Sequence, residues 1–274
     1  MIMTVHRVTE TGVPILSDED IERCAERILM DYDPKLLEKP QPIPIEDIAE
    51  NYFNLTLIYE PLSQDGDIYG CVEFFDTKCK PIYSEDEKKL VPTEAKRGSL
   101  FLDPRIAEDK QSGIKRSTTA HECGHWFYHQ LYKNRERERY LSGRDRRLAM
   151  PTESKIGKHQ LLTDEDWMEH QSGYFSGAIL MPRTTFRMAA YEKATRDFIE
   201  FKSRTADEET RNEDLSVILS REFDVSRKAA LVRINELNCG MGPGIDYREL
   251  AALREEYLRK QAEKANKKRR RKSG

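Results

Sequence analysis

His121-Glu122-Cys123-Gly124-His125 sets two imidazoles four residues apart, with a carboxylate directly after the first. On a helix, side chains four apart stand one above the other, their Cβ atoms about 5–6 Å from each other. Both rings can then reach a single metal ion at bond lengths of about 2.0–2.1 Å. Glu122 lies about 100° further round the helix and does not naturally become a third ligand. It can instead reach the metal's open position and accept a proton from a bound water, producing a nucleophile near neutral pH. With six histidines in the chain, a chance match of this kind is on the order of one in a hundred. The plainer reading is a helix with two satisfied histidines and a surface glutamate.

A catalytic zinc site needs a third protein ligand and an open fourth position. Four residues are candidates: His129, His159, Glu169 and His170. His129 continues the same helical register, but three consecutive turns cannot easily wrap their tips around one ion. It suits a role behind the ligands or in packing. His159 stands in a polar stretch without distinguishing context. Glu169 and His170 share a second predicted helix able to pack against the first.

The segment Thr119-Ala-His-Glu-Cys-Gly-His-Trp-Phe-Tyr-His129, followed by Glu169-His-Gln-Ser-Gly-Tyr-Phe-Ser-Gly-Ala-Ile-Leu-Met-Pro182, resembles the ImmA/IrrE family of metallo-endopeptidases. That family pairs an A-H-E-x-G-H helix with an E-x-x-A-N-x-F-A-x-x-L-L-M-P helix. The resemblance spans roughly residues 43–237. It implies that His121, His125 and Glu169 hold Zn2+ and that Glu122 is the general base. It also implies a substrate class, a helix-turn-helix transcriptional repressor of a mobile element or stress locus. Ser172-Gly173 stands where the family usually has Ala-Asn, and Ser176 where it usually has Ala. Those small residues still allow two helices to approach closely. His129, His170 and Tyr174 remain equal candidates for stabilising a transition-state oxyanion.

The elements that must position these residues can be read from the apolar pattern. A helix start at Ser17-Asp18-Glu19-Asp20 precedes Ile21, Ala25, Ile28 and Leu29 at helical spacing. Prolines 34, 40, 42 and 44 then punctuate a linker, and a short helix fits 45–53. Strands are expected over 55–59, 68–75 and 100–102, separated by Pro, Gly and Asp turn signals. The second of these could pair with an extended substrate by strand addition. Helices follow from 114 through 131 and over about 165–180, the latter stopped by Met181-Pro182. Others fit 184–202, 215–223 and 226–237. The charge-dense stretch 135–147 reads as a loop or a solvated helix end, able to serve as a lid.

This organisation predicts an α+β, zincin-like metallopeptidase domain over 41–190, with a small sheet packed on the active-site helix. Residues 1–40 read as a helical extension and linker, 191–245 as a C-terminal helical part, and 246–274 as a basic, helical tail expected to be disordered. From Arg259 onward nine Lys/Arg face one acid, Glu263, a balance of +8; with a formal total of −3 the body carries about −11. The whole chain is therefore no basic nucleic-acid binder, though the tail could reach an acidic partner. Five cysteines without a Cys-x-x-Cys pair fit a reducing, cytoplasmic setting. No apolar run approaches membrane-spanning length, and the N-terminus carries no leader pattern.

One alternative belongs to another class. Ser220-Arg-Glu-Phe-Asp-Val-Ser226, followed by Ala229, Val232 and Arg233, has a helix-turn-helix cadence. A DNA-binding regulatory module would use such helices; a further alternative is a zinc-bound scaffold that binds a repressor without hydrolysing it, against which the intact Glu122 argues. Two packed helices joined by a turn explain the same pattern without DNA.

Overall fold

The computed structural model describes residues 7–107, 112–141, 163–201 and 208–239. Helix α1 (Asp18–Tyr32) starts at Ser17, whose hydroxyl accepts from the Asp20 amide while Asp20 reaches back to the Ser17 amide. That reciprocal cap satisfies two of the amide donors a helix start leaves orphaned. Its inner face buries Ile21, Glu22, Ala25, Ile28 and Leu29. A 3₁₀ turn over Pro34–Leu37 and helix α2 (Ile45–Asn51) follow, and Ile45, Ile48 and Ala49 join the same core.

Strands β1 (Thr56–Tyr59), β2 (Gly70–Val72) and β5 (Ser99–Leu102) form a sheet in the order β1-β5-β2, with β1 parallel and β2 antiparallel to the central β5. All four residues of β5 are buried, as expected of a strand covered on both faces. Strands β3 (Thr77–Ser84) and β4 (Lys89–Ala95) make a separate antiparallel hairpin in which Pro81 lies opposite Pro92. The apolar pattern of the sequence does not announce this hairpin.

Helix α3 (Ser112–Tyr128) packs on β2 and β5, then yields to α4 (Gln130–Leu141) at His129. Helix α5 (Asp164–Leu180) repeats the α1 cap with Thr163 and Asp166 and lies along α3 and α1. The α3–α5 seam is close: a Cβ on Gly124 would stand 3.0 Å from the Cα of Ser172. Gly173 faces open space and takes no part in that approach. Helices α6 (Arg183–Phe201), α7 (Glu208–Phe223) and α8 (Arg227–Glu236) close the other side.

The fold is thus α+β with a small three-stranded sheet. The N-terminal helix, read from sequence as part of an extension, shares its core with α5 and α8. Residues 135–141 continue α4; residues 142–147 and the tail from 246 lie outside the described residues. No helix among the described residues is long and apolar enough to cross a membrane.

Candidate metal centre

His121 and His125 project from one face of α3 toward Glu169 on α5. Their Nε2 atoms stand 3.0 Å apart. Glu169 Oε2 lies 3.2 Å from His121 Nε2, and Oε1 lies 3.2 Å from His125 Nε2. Ligand atoms around a four-coordinate ion at about 2.0–2.1 Å are spaced by about 3.3 Å, and the separation of the two imidazole nitrogens and the approach of the carboxylate to each are of that size. Two imidazole lone pairs pointing at each other repel unless a cation or a proton stands between them. Glu169 Oε1 is moreover buried without a hydrogen-bond partner, 3.2 Å from His125 Nε2. An orphaned carboxylate oxygen beside two converging nitrogens fits a metal cation, and this His-His-Glu group can hold one.

Local electrostatics agree. Burial pushes the Glu169 carboxyl toward its neutral form, but the two imidazoles outweigh that and hold its pKa well below the ordinary carboxylate range. For His121 burial opposes charge, yet the hydrogen bond to Glu169 and the nearby Glu122 raise its pKa.

Behind this group runs a row of buried polar side chains. His125 Nδ1 meets His129 Nδ1 at 3.1 Å, and His129 Nε2 meets Gln171 Oε1 at 3.0 Å. Gln171 Nε2 donates to the Pro14 carbonyl at 2.6 Å. Burial first, and then the adjacent His125, push the His129 pKa far down, so this ring is neutral. Both ring nitrogens of His129 are engaged, by His125 and Gln171, so it stands behind the candidate metal group rather than in it, while Gln171 and the Pro14 carbonyl were missed. The signal for Gln171 was weak: a buried histidine in the ligand register needs an acceptor, and the facing helix offers an amide two residues after Glu169.

Glu122 is buried on α3 within electrostatic reach of His121 and of Cys71 on β2. Gly70 lets this strand pass close to the helix, since a Cβ there would meet Thr118 at 2.6 Å. Among the described residues β2 pairs with β5 alone. The other oxyanion candidates are engaged elsewhere: His170 Nε2 lies 3.2 Å from Asp18, and the Tyr174 hydroxyl donates to Glu22 at 3.1 Å. His159 lies outside the described residues.

A scan against protein-family models finds no match for this chain, and a search of curated proteins also finds none.

The α7–α8 pair does meet at a tight turn, with Asp224 at φ 50 where glycine is usual. The turn is packed against the start of α3, where a Cβ on Gly113 would stand 2.8 Å from the Ser226 amide. Arg233, a candidate for DNA contact, is wholly buried.

Proposed function

We propose that this chain is a zinc-dependent metallo-endopeptidase of the ImmA/IrrE kind, with His121, His125 and Glu169 as ligands and Glu122 as the base. The reading rests chiefly on the convergence of three ligand atoms around an unsatisfied Glu169 oxygen. A His2Glu set suits zinc and leaves a fourth position open. Zinc, when bound, supplies Lewis-acid activation of water and of the scissile carbonyl.

The chain's own residues do the rest. Glu122 accepts a proton from the attacking water and delivers it to the departing amine nitrogen. Its burial on the β2 side of α3 shields that carboxylate from bulk water. The unpaired side of β2 offers backbone groups to an extended peptide, which would carry the scissile bond past Glu122. The substrate class, a helix-turn-helix repressor, follows from the family resemblance.

The test is zinc content by mass spectrometry beside cleavage of such a repressor. The wild type should hold about one zinc per chain, as the one-site reading requires. Glu122→Gln should keep the zinc and lose cleavage. A wild type that takes up no zinc at neutral pH, or a Glu122→Gln variant that cleaves normally, overturns the proposal.

A further inference from the structure

The N-terminal segment crosses α4 and α5 as a short strap. Its turn is closed by Thr9 N–H donating to the Val13 carbonyl at 2.8 Å and by Val13 N–H donating to the Thr9 hydroxyl at 3.0 Å. Val13 is buried against Tyr132 and Met168. Arg135 donates to the Glu10 carbonyl at 2.9 Å. Gly12 sits at φ +105, and a Cβ there would stand 3.1 Å from the Tyr132 amide nitrogen. The strap ends where the Pro14 carbonyl faces Gln171.

A carbonyl oxygen can only accept, so the Gln171 amide must turn its NH₂ toward Pro14. Its oxygen is then committed to His129. A neutral imidazole carries one donor and one acceptor, so His129 must hold its proton on Nε2 and leave Nδ1 as acceptor. His125 must in turn donate from Nδ1, which frees its Nε2 lone pair toward His121 and Glu169. Each role fixes the next, in one direction only. Reversing the Gln171 amide would reverse the whole row and put a proton on His125 Nε2, where a ligand lone pair is needed.

We propose that the strap, through the Pro14 carbonyl and Gln171, sets the tautomers of His129 and His125 and thereby presents His125 Nε2 to the metal. The proposal rests on the metal-site reading above. Gln171 and His129 are positioning residues that act through His125. Partners of this kind are commonly worth about 10–100-fold in metal affinity.

The experiment measures zinc affinity by competition with a chromophoric chelator, with ring ¹⁵N spectra of the metal-free protein to read the tautomers. Gln171→Met removes both bonds and should weaken zinc binding about 10–100-fold. Gln171→Glu restores an acceptor for His129 and should recover most of that loss, which a simple packing role would not predict. Gly12→Val, which strains the strap off α4, should also weaken zinc binding while leaving every ligand in place. Wild-type spectra should show the proton on Nε2 of His129 and Nδ1 of His125. The opposite tautomers would overturn the proposal, as would Gln171→Met or a folded Gly12→Val variant binding zinc as tightly as wild type. A wild type that binds no zinc overturns the metal-site reading itself, while the spectra still decide the direction of the row.

Discussion

Arg233 on α8 sets its two terminal nitrogens against both oxygens of Glu22 on α1, at 2.6 and 2.9 Å, with both side chains buried. Its Nε donates to the Met181 carbonyl at 3.1 Å, and Tyr174 donates to Glu22. The pair is therefore hydrogen-bonded throughout and joins α1 to α8 across the end of α5. Removing either partner strands a charge in the core. Arg233→Met and Glu22→Leu should each cost about 3–5 kcal/mol, whereas the double variant should cost far less than the two losses combined. Urea denaturation of the three variants checks this; additive losses would show that the two charges are not coupled.

The seam that brings Glu169 to the histidines depends on Gly124. A methyl group there meets the Ser172 Cα, backbone that cannot swing aside. Gly124→Ala should destabilise by about 1–3 kcal/mol and weaken metal binding by spreading α3 from α5. Gly173→Ala meets nothing within 4 Å and should stabilise by about 0.5–1 kcal/mol through helix propensity alone. Thermal melts and zinc titrations of both variants separate the two outcomes; equal behaviour would remove the special role of position 124.

Asp103 should give the fold an acid-sensitive element. Its buried carboxylate accepts from the Arg105 amide and guanidinium and from the Leu62 amide. Burial raises its pKa, but these donors together hold it below the ordinary value. A carboxyl with a lower pKa folded than unfolded stabilises above its unfolded pKa of about 3.9, and that stability is lost as pH falls through the folded value. Asp103→Asn should therefore cost about 1–3 kcal/mol at pH 7. The gap to wild type should close between about pH 5 and pH 2. Melting temperatures across that range test it; a gap that widens on acidification would reverse the sign.

The helix that carries His121 and His125 was legible because its constraint is local: two candidate ligands four residues apart need one helical face. Glu169 lies on a different helix, and the residue pattern alone left it beside His170 on that helix; only the second motif of the family resemblance singles it out. The β3–β4 hairpin stayed hidden because Pro81, Pro92 and the charged residues around them break the alternation that marks a half-buried strand. Helix α7 begins at Glu208, ahead of the expected Leu215, across a polar run with no apolar periodicity to announce it. The Gln171–Pro14 bond joins residues far apart in sequence, and no local pattern encodes such a meeting.

The opposed prolines of that hairpin have a bearing on how the chain behaves in a crowd of its own copies. Two prolines face to face cannot exchange ladder bonds, so their position must be one where backbone groups point outward from the pair. There an ordinary residue would show a donor to any passing strand, and proline has none. Each outer edge of the hairpin is thus interrupted near its middle. Strands that would otherwise stack edge to edge into aggregates find a gap in the row they need.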